Sequence, residues 1–91
     1  MQIELSKEIE FEGKKYSALD LNLDSLTGKD VVNAESEAAA IMGRPAVDLD
    51  KIYQACVAAR AAGVSVELLQ ALPARDFCKV TMAVQGFLLG V

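Results

Sequence analysis

The chain has 91 residues, a formal net charge of −4 and no histidine, and 53% of its residues are hydrophobic. This length and composition predict one globular domain over residues 1–91, with a core that is thinned by its many alanines. The absence of histidine excludes serine–histidine and cysteine–histidine nucleophile pairs, so we expect no enzyme of those classes and no imidazole metal site. The acidic balance argues against a nucleic-acid-binding surface, which needs clustered lysine and arginine.

The cellular compartment follows from the hydrophobic runs and the cysteines. No apolar run approaches the ~20 residues that a membrane-spanning helix needs, and the N-terminus lacks the pattern of a signal peptide. We therefore expect a cytoplasmic protein with reduced thiols. Cys56 and Cys78 lie on or beside apolar helical stripes, which favours buried structural thiols over a disulfide or a zinc site.

The first part of the chain, about residues 3–23, has the pattern of a β-hairpin. In the outgoing strand, four apolar residues alternate with polar ones, which is the period of a half-buried strand: Ile3, Leu5, Ile9 and Phe11. Glu12-Gly13 follows, where glycine supplies the positive φ of a tight turn. In the return strand Tyr16 is out of phase with the leucines of residues 19–23. We therefore expect a bulge or bend near Ser17-Ala18.

From residue 27 the apolar spacing changes to the period of a helix. Thr27 and Asp30 have the spacing of a capping box, which predicts a helix over about residues 28–42. Further stripes predict helices over about residues 49–62, 66–71 and 73–89. The residues expected in the three longer stripes are Val31, Ala34, Ala38, Ile41 and Met42, then Leu49, Ile52, Tyr53, Cys56 and Val57, then Phe77, Val80, Val84, Phe87 and Leu88.

Together these elements predict an α+β fold that is mainly α, with an N-terminal β-hairpin followed by three to four helices in a small bundle. Asp48 and Asp50 resemble the start of a calcium loop, but no glycine or bidentate glutamate follows at the required spacing. We interpret them as caps of the second helix. Asp76 lies in the first turn of the last helix, where a carboxylate stabilises the helix dipole.

One short motif suggests a cofactor. Asp24-Ser25-Leu26 resembles the Asp-Ser-Leu sequence of acyl carrier proteins, whose serine carries phosphopantetheine. Such a carrier has a long helix before the serine, whereas the region before Ser25 alternates like strands. The plainer interpretation is a loop with a helix cap, in which case the protein needs no cofactor.

The last helix ends in an apolar segment with no charge after Lys79. A soluble monomer rarely leaves such a patch open. The segment therefore packs into the core, frays at the terminus, or forms a surface for a partner or for self-association. On the last interpretation Phe87, Leu88 and Val91 would contact the partner, and Leu89, on the opposite side, would be available to a second copy.

The order of several motifs resembles a known family. These motifs are Glu12-Gly13-Lys14, Leu26-Thr27-Gly28-Lys29-Asp30 and Gly86-Phe87-Leu88. Over roughly residues 5–43 and 63–89 the chain resembles the tail assembly chaperones of long-tailed bacteriophages, in the Mu-like and related branch. It departs from the family pattern at Leu26, where a proline is usual.

The resemblance implies a non-enzymatic protein of the host cytoplasm. It implies that the protein binds the tape measure protein, keeps it from aggregating and helps to recruit tail tube subunits. Coating a long helix also calls for many copies, each with an apolar groove and an acidic rim, so we expect self-association. Two alternatives remain: an acyl-carrier-like protein with phosphopantetheine on Ser25, or a small protein-interaction or regulatory module.

Overall fold

The computed structural model describes residues 1–90, which form an N-terminal antiparallel β-hairpin followed by four helices. The elements are β1 (Gln2–Phe11), β2 (Lys14–Asp20), a 3₁₀ turn (Leu23–Ser25), α1 (Gly28–Met42), α2 (Lys51–Ala62), α3 (Val66–Gln70) and α4 (Ala74–Leu89). This confirms the predicted α+β, mainly helical class. The second helix begins at Lys51 rather than near residue 49, because the preceding residues belong to a loop.

The hairpin turn has positive φ at both central residues, 51° at Glu12 and 78° at Gly13. Two positive φ angles define a type I′ turn, whose twist matches that of the flanking strands. The turn sets the register beyond it, which places Phe11 opposite Lys14 and Glu10 opposite Lys15. Opposite charges across the strands stabilise this half of the hairpin.

A bulge interrupts the strand pairing further from the turn. Glu4 pairs with Ala18 and Ile9 with Tyr16, so residues 5–8 of β1 lie opposite Ser17 alone. The sequence predicts an irregularity at this level of the hairpin, but it places the irregularity in the return strand. The extra residues lie in β1 instead, where the bulge lets Ser6 reach helix α4.

A buried carboxylate of α4 holds this bulge. Asp76 is fully buried, and the backbone N–H of Ser6 donates to both of its oxygens at 3.0 Å. The Ser6 hydroxyl donates to Oδ2 at 2.9 Å, while Lys79 Nζ donates to the carbonyl of Glu4 at 2.8 Å. Asp76 does lie in the first turn of α4, but its main contacts are with the hairpin. The start of α4 is therefore the anchor of β1.

The core surrounds α2. Residues 53–59 are all buried, and α2 packs against α1, α3, α4 and β2. Most of its side chains are small, which lets neighbouring backbones approach closely. The larger core side chains come from the surrounding elements and include Leu19, Leu21, Leu23, Leu68, Leu69, Val80 and Val84.

Helix α1 begins with the predicted capping box. The Asp30 N–H donates to Thr27 Oγ1 at 3.3 Å, and the Thr27 N–H donates to the Asp30 carboxylate at 2.9 Å. The Thr27 backbone contributes most to a lowered pKa of Asp30, and Arg60 near the end of α2 lowers it further. Ile41 is 46% exposed, so its expected place in the buried stripe is wrong, although Met42 beside it packs against the core.

The hydrogen bonds between Asp76 and the bulge of β1 are testable by substitution. Asp76→Ala removes the acceptor of three hydrogen bonds, so we expect the free energy of unfolding to fall by about 3 kcal/mol. Ser6→Ala removes the hydroxyl bond alone and should cost about 1 kcal/mol. Urea unfolding measures both. An equal loss in the two variants would show that the backbone bonds to Asp76 contribute nothing.

Candidate functional site

Large apolar side chains are exposed mainly on the helices. The side chains with high exposure are Met1, Val32, Ile41, Val47, Leu49, Met82, Phe87 and Leu89. Five of these lie where α1 ends, α2 begins and α4 ends, and we call this set the apolar end: Ile41, Val47, Leu49, Phe87 and Leu89. It contains five of the eight large hydrophobic side chains that are exposed among residues 1–90, and it is the candidate interaction surface.

Hydrogen bonds of Gln54 bring the parts of the apolar end together. Its Nε2 donates to the carbonyl of Asp48 at 3.2 Å and to Oε1 of Gln85 at 3.1 Å. Asp48 directly precedes Leu49, and Leu89 lies one helical turn beyond Gln85 on the same face of α4. The α1–α2 loop and the end of α4 are therefore neighbours.

The loop of residues 43–50 is held in shape by an ion pair. The Arg44 guanidinium donates to both carboxylate oxygens of Asp50, at 3.0 and 2.8 Å, and the Val47 N–H donates to the same carboxylate at 2.9 Å. The Arg44 hydrogen bond is the main cause of a lowered pKa of Asp50. Asp50 occupies the N-cap position of α2, but its side chain makes no capping bond. Its predicted capping role is wrong, because Arg44 and Val47 use the carboxylate.

This braced loop carries Val47 and Leu49 in an exposed position, 59% and 64% exposed respectively. The expected place of Leu49 in the buried stripe of α2 is therefore wrong, because α2 begins two residues later. Sequence reasoning missed the loop as part of a surface. One available signal is that Val47 and Leu49 alternate with aspartates between a helix-ending glycine and the next helix, a position where most loops are polar.

The residues expected to contact a partner have different environments. Phe87 is 40% exposed and Leu89 is 53% exposed. Leu88 is half-buried and packs against the core. Val91 lies outside the described residues. Phe87 and Leu89 are about 200° apart around the helix, so they face different directions, as the interpretation of Leu89 requires.

An open apolar groove of about 400 Å³ starts at Ile52, in the first turn of α2. It is lined by Ile52, Gln70, Leu72, Ala74, Phe77 and Cys78. Ile52 is three residues beyond Leu49, so this groove extends the apolar surface towards the start of α4. Cys78 in its wall is exposed, and the expectation that it is buried is wrong. Cys78 lies about 100° around α4 from Phe77, at the margin of the buried face.

Charge is concentrated away from the apolar end. Residues 1–24 contain six of the thirteen acidic and three of the nine basic residues, so they carry three of the four net negative charges. The hairpin is bound at Asp76, and Leu89 lies about 20 Å further along α4 at 1.5 Å per residue. The charged hairpin and the apolar end are therefore separated along α4.

The other candidate sites have plain structural roles. The Ser25 hydroxyl donates to the carbonyl of Asn22 at 2.8 Å, and a hairpin precedes it where a carrier protein has a helix. Cys56 is buried, and burial raises the pKa of its thiol to about 12. Within residues 1–90, no group of three or more histidine, cysteine or acidic residues is arranged to hold a metal ion. No helix in this part of the chain is long and apolar enough to cross a membrane.

Comparisons with known proteins gave one match. The sequence model of a protein family described as "Phage tail assembly chaperone proteins, E, or 41 or 14" matches residues 2–89. Searches of curated proteins and of solved structures gave no significant match.

The thiols should differ in reactivity. Cys78 is exposed, whereas Cys56 is buried with its pKa raised to about 12. Because the thiolate is the reacting form, a thiol reagent at neutral pH should modify Cys78 alone in the folded protein and both cysteines in denaturant. Modification of Cys78→Ser at wild-type speed in the folded state would contradict this assignment.

The stability that the Arg44–Asp50 ion pair contributes should depend on pH. Because the pKa of Asp50 in the folded protein lies below its ordinary value of 3.8, its contribution to stability is present above that value. The contribution disappears as the pH falls through the lowered pKa. Arg44→Ala should therefore be less stable than wild type at neutral pH, and the difference should shrink in acid. Urea unfolding over a pH series measures this, and a difference that grows in acid would refute it.

Proposed function

Because the chain belongs to the family of phage tail assembly chaperones, we propose that it binds and solubilises the tape measure protein while the tail is assembled in the cytoplasm of the bacterial host. This role is non-enzymatic and needs no cofactor. The observation that carries the proposal is the family match over residues 2–89. The apolar end described above supplies a surface for the partner.

The properties of the apolar end suit a chaperone of this kind. A long helical client exposes apolar stripes that would aggregate in water, and a groove or patch of similar character binds such stripes. Here Phe87 and Leu89 are exposed on α4, while Val47 and Leu49 are exposed on a loop that an ion pair keeps in shape. Side chains held in place before binding lose less conformational entropy on binding.

The charge distribution supports the solubilising role. When the apolar end contacts a client, the hairpin lies on the far side with two of the four net negative charges. Net charge on an exposed surface keeps proteins apart in solution. A complex of client and chaperone would then present charged hairpins to water.

We extend the proposal to two further partners. Several copies of the chain would associate along one tape measure protein, with Leu89 available to a neighbouring copy, and the tail tube protein would be recruited to this assembly. The motif order around Gly13, Thr27 and Phe87 also favours the Mu-like and related branch of the family. Genes for a tube protein and a very long helical protein beside this gene would support the proposed role in tail assembly.

The carrier alternative has little support. The hairpin before Ser25 and the hydrogen bond from its hydroxyl to Asn22 differ from a serine that starts a helix after a long preceding helix. A phosphopantetheine mass on Ser25 after expression with a transferase would restore that alternative.

The apolar end is tested by the double variant Phe87→Ser/Leu89→Ser. We expect it to keep the helicity of wild type and to lose co-solubilisation of the tape measure protein from the same phage, because it removes Phe87, which would contact the client, and Leu89, which would contact a neighbouring copy. Co-expression followed by quantification of soluble tape measure protein measures this. Circular dichroism of the purified variant reports whether it is folded.

A matched control is Val32→Ser. Val32 is 61% exposed but lies in the first turns of α1, whereas Ile41, the residue of α1 in the apolar end, lies near the other end of that helix. It should solubilise the client as wild type does. If both variants solubilise the client normally, the apolar end is not the binding surface; if the double variant is unfolded, Leu49→Ser, in the loop, takes its place.

A further inference from the structure

We propose that Gln54 is a positioning residue, which joins the α1–α2 loop and the end of α4 into one partner-binding surface. The inference rests on the proposed function, because it concerns how the same apolar end is organised. It assigns a role to a buried polar side chain that is not itself one of the exposed apolar residues of that end.

Gln54 is buried, unlike most glutamines, and its side-chain amide is hydrogen-bonded within the protein. It is 1% exposed, and a buried amide is costly unless its hydrogen-bonding groups are used. Its Nε2 has two hydrogens, and both are used, one by the Asp48 carbonyl at 3.2 Å and one by Gln85 Oε1 at 3.1 Å. One side chain therefore binds two separate segments of the chain.

The two segments are those that carry the exposed apolar residues. Asp48 lies between Val47 and Leu49 in the braced loop. Gln85 lies two residues before Phe87 and one turn before Leu89. The Arg44–Asp50 pair fixes the internal shape of the loop, but both partners lie within residues 43–50 and leave the loop free relative to α4. Gln54 supplies that link.

An apolar residue at position 54 would fill the space without providing the link. Hydrophobic packing against the alanines of α2 is non-directional, so it would hold the end of α4 in one orientation less strictly than hydrogen bonds do. Directional bonds of a satisfied buried amide select one arrangement. A partner that contacts the loop and α4 together then finds both in place, and less entropy is lost on binding.

The test compares Gln54→Met, Gln85→Met and Gln85→Glu with wild type, using a tiled set of soluble tape measure fragments as the probe. Gln54→Met removes both bonds with little change in volume, and we expect about fivefold weaker binding. Gln85→Met removes one bond and should weaken binding less. Gln85→Glu keeps an acceptor for Nε2 and should bind like wild type.

A second readout separates positioning from simple stability. Amide relaxation and hydrogen exchange by NMR should show greater mobility at residues 47–50 and 86–90 in Gln54→Met, with the other elements unchanged. Wild-type binding by a folded Gln54→Met variant would overturn the positioning role while leaving the proposed function intact, provided that Phe87→Ser/Leu89→Ser still loses binding.

The remaining variants decide the cases in which the surface is wrong or Gln54→Met does not fold. If Phe87→Ser/Leu89→Ser binds the fragments normally, the surface itself is refuted, and the positioning role of Gln54 fails with it. If Gln54→Met does not fold, the Gln85 pair decides, since Gln85 is only half-buried: equal binding by Gln85→Met and Gln85→Glu would overturn the inference. Weaker binding by Gln85→Met with rescue by Gln85→Glu would support it.

Discussion

The structure depends on one helix that is buried on every side. Residues 53–59 of α2 are all inaccessible, so the hairpin and the other helices all pack around it. Alanine at positions 55, 58 and 59 makes this possible, because small side chains let several neighbours approach one helix. The cost is a core with few large side chains of its own. Leucines that lie in or just after β2 and in α3 compensate.

Packing against alanine fixes the orientation of neighbouring helices only weakly. Hydrogen bonds of buried polar side chains fix that orientation instead. Asp76 fixes the start of α4 to the bulge of β1, and Gln54 fixes the end of α4 to α2 and the loop. Both side chains are buried, and each makes a hydrogen bond to an element that is distant in sequence. Helix α4 is thus held at each end by hydrogen bonds and in the middle by Val80 and Val84.

The sequence predicts the elements better than the contacts between them. Periodicity finds the hairpin and α1, and the Thr27–Asp30 spacing finds the capping box, because these depend on neighbours in the chain. The Ser6–Asp76 contact joins residues seventy positions apart, and no local pattern reveals it. Periodicity also places Ile41 and Leu49 in buried stripes, since it shows that a residue is apolar but not whether another element covers it. The apolar end is predictable only at α4, where the lack of charge after Lys79 marks it.

The separation of charge from apolar surface has a consequence for how copies would be spaced on a client. At physiological ionic strength, electrostatic repulsion between hairpins reaches only about 8 Å. The shortest dimension of the molecule is 20 Å, so repulsion between neighbours acts only when they are nearly touching. In the proposed coat, charge would therefore not hold neighbouring copies apart beyond near-contact, and the width of the molecule would set the smallest spacing between them.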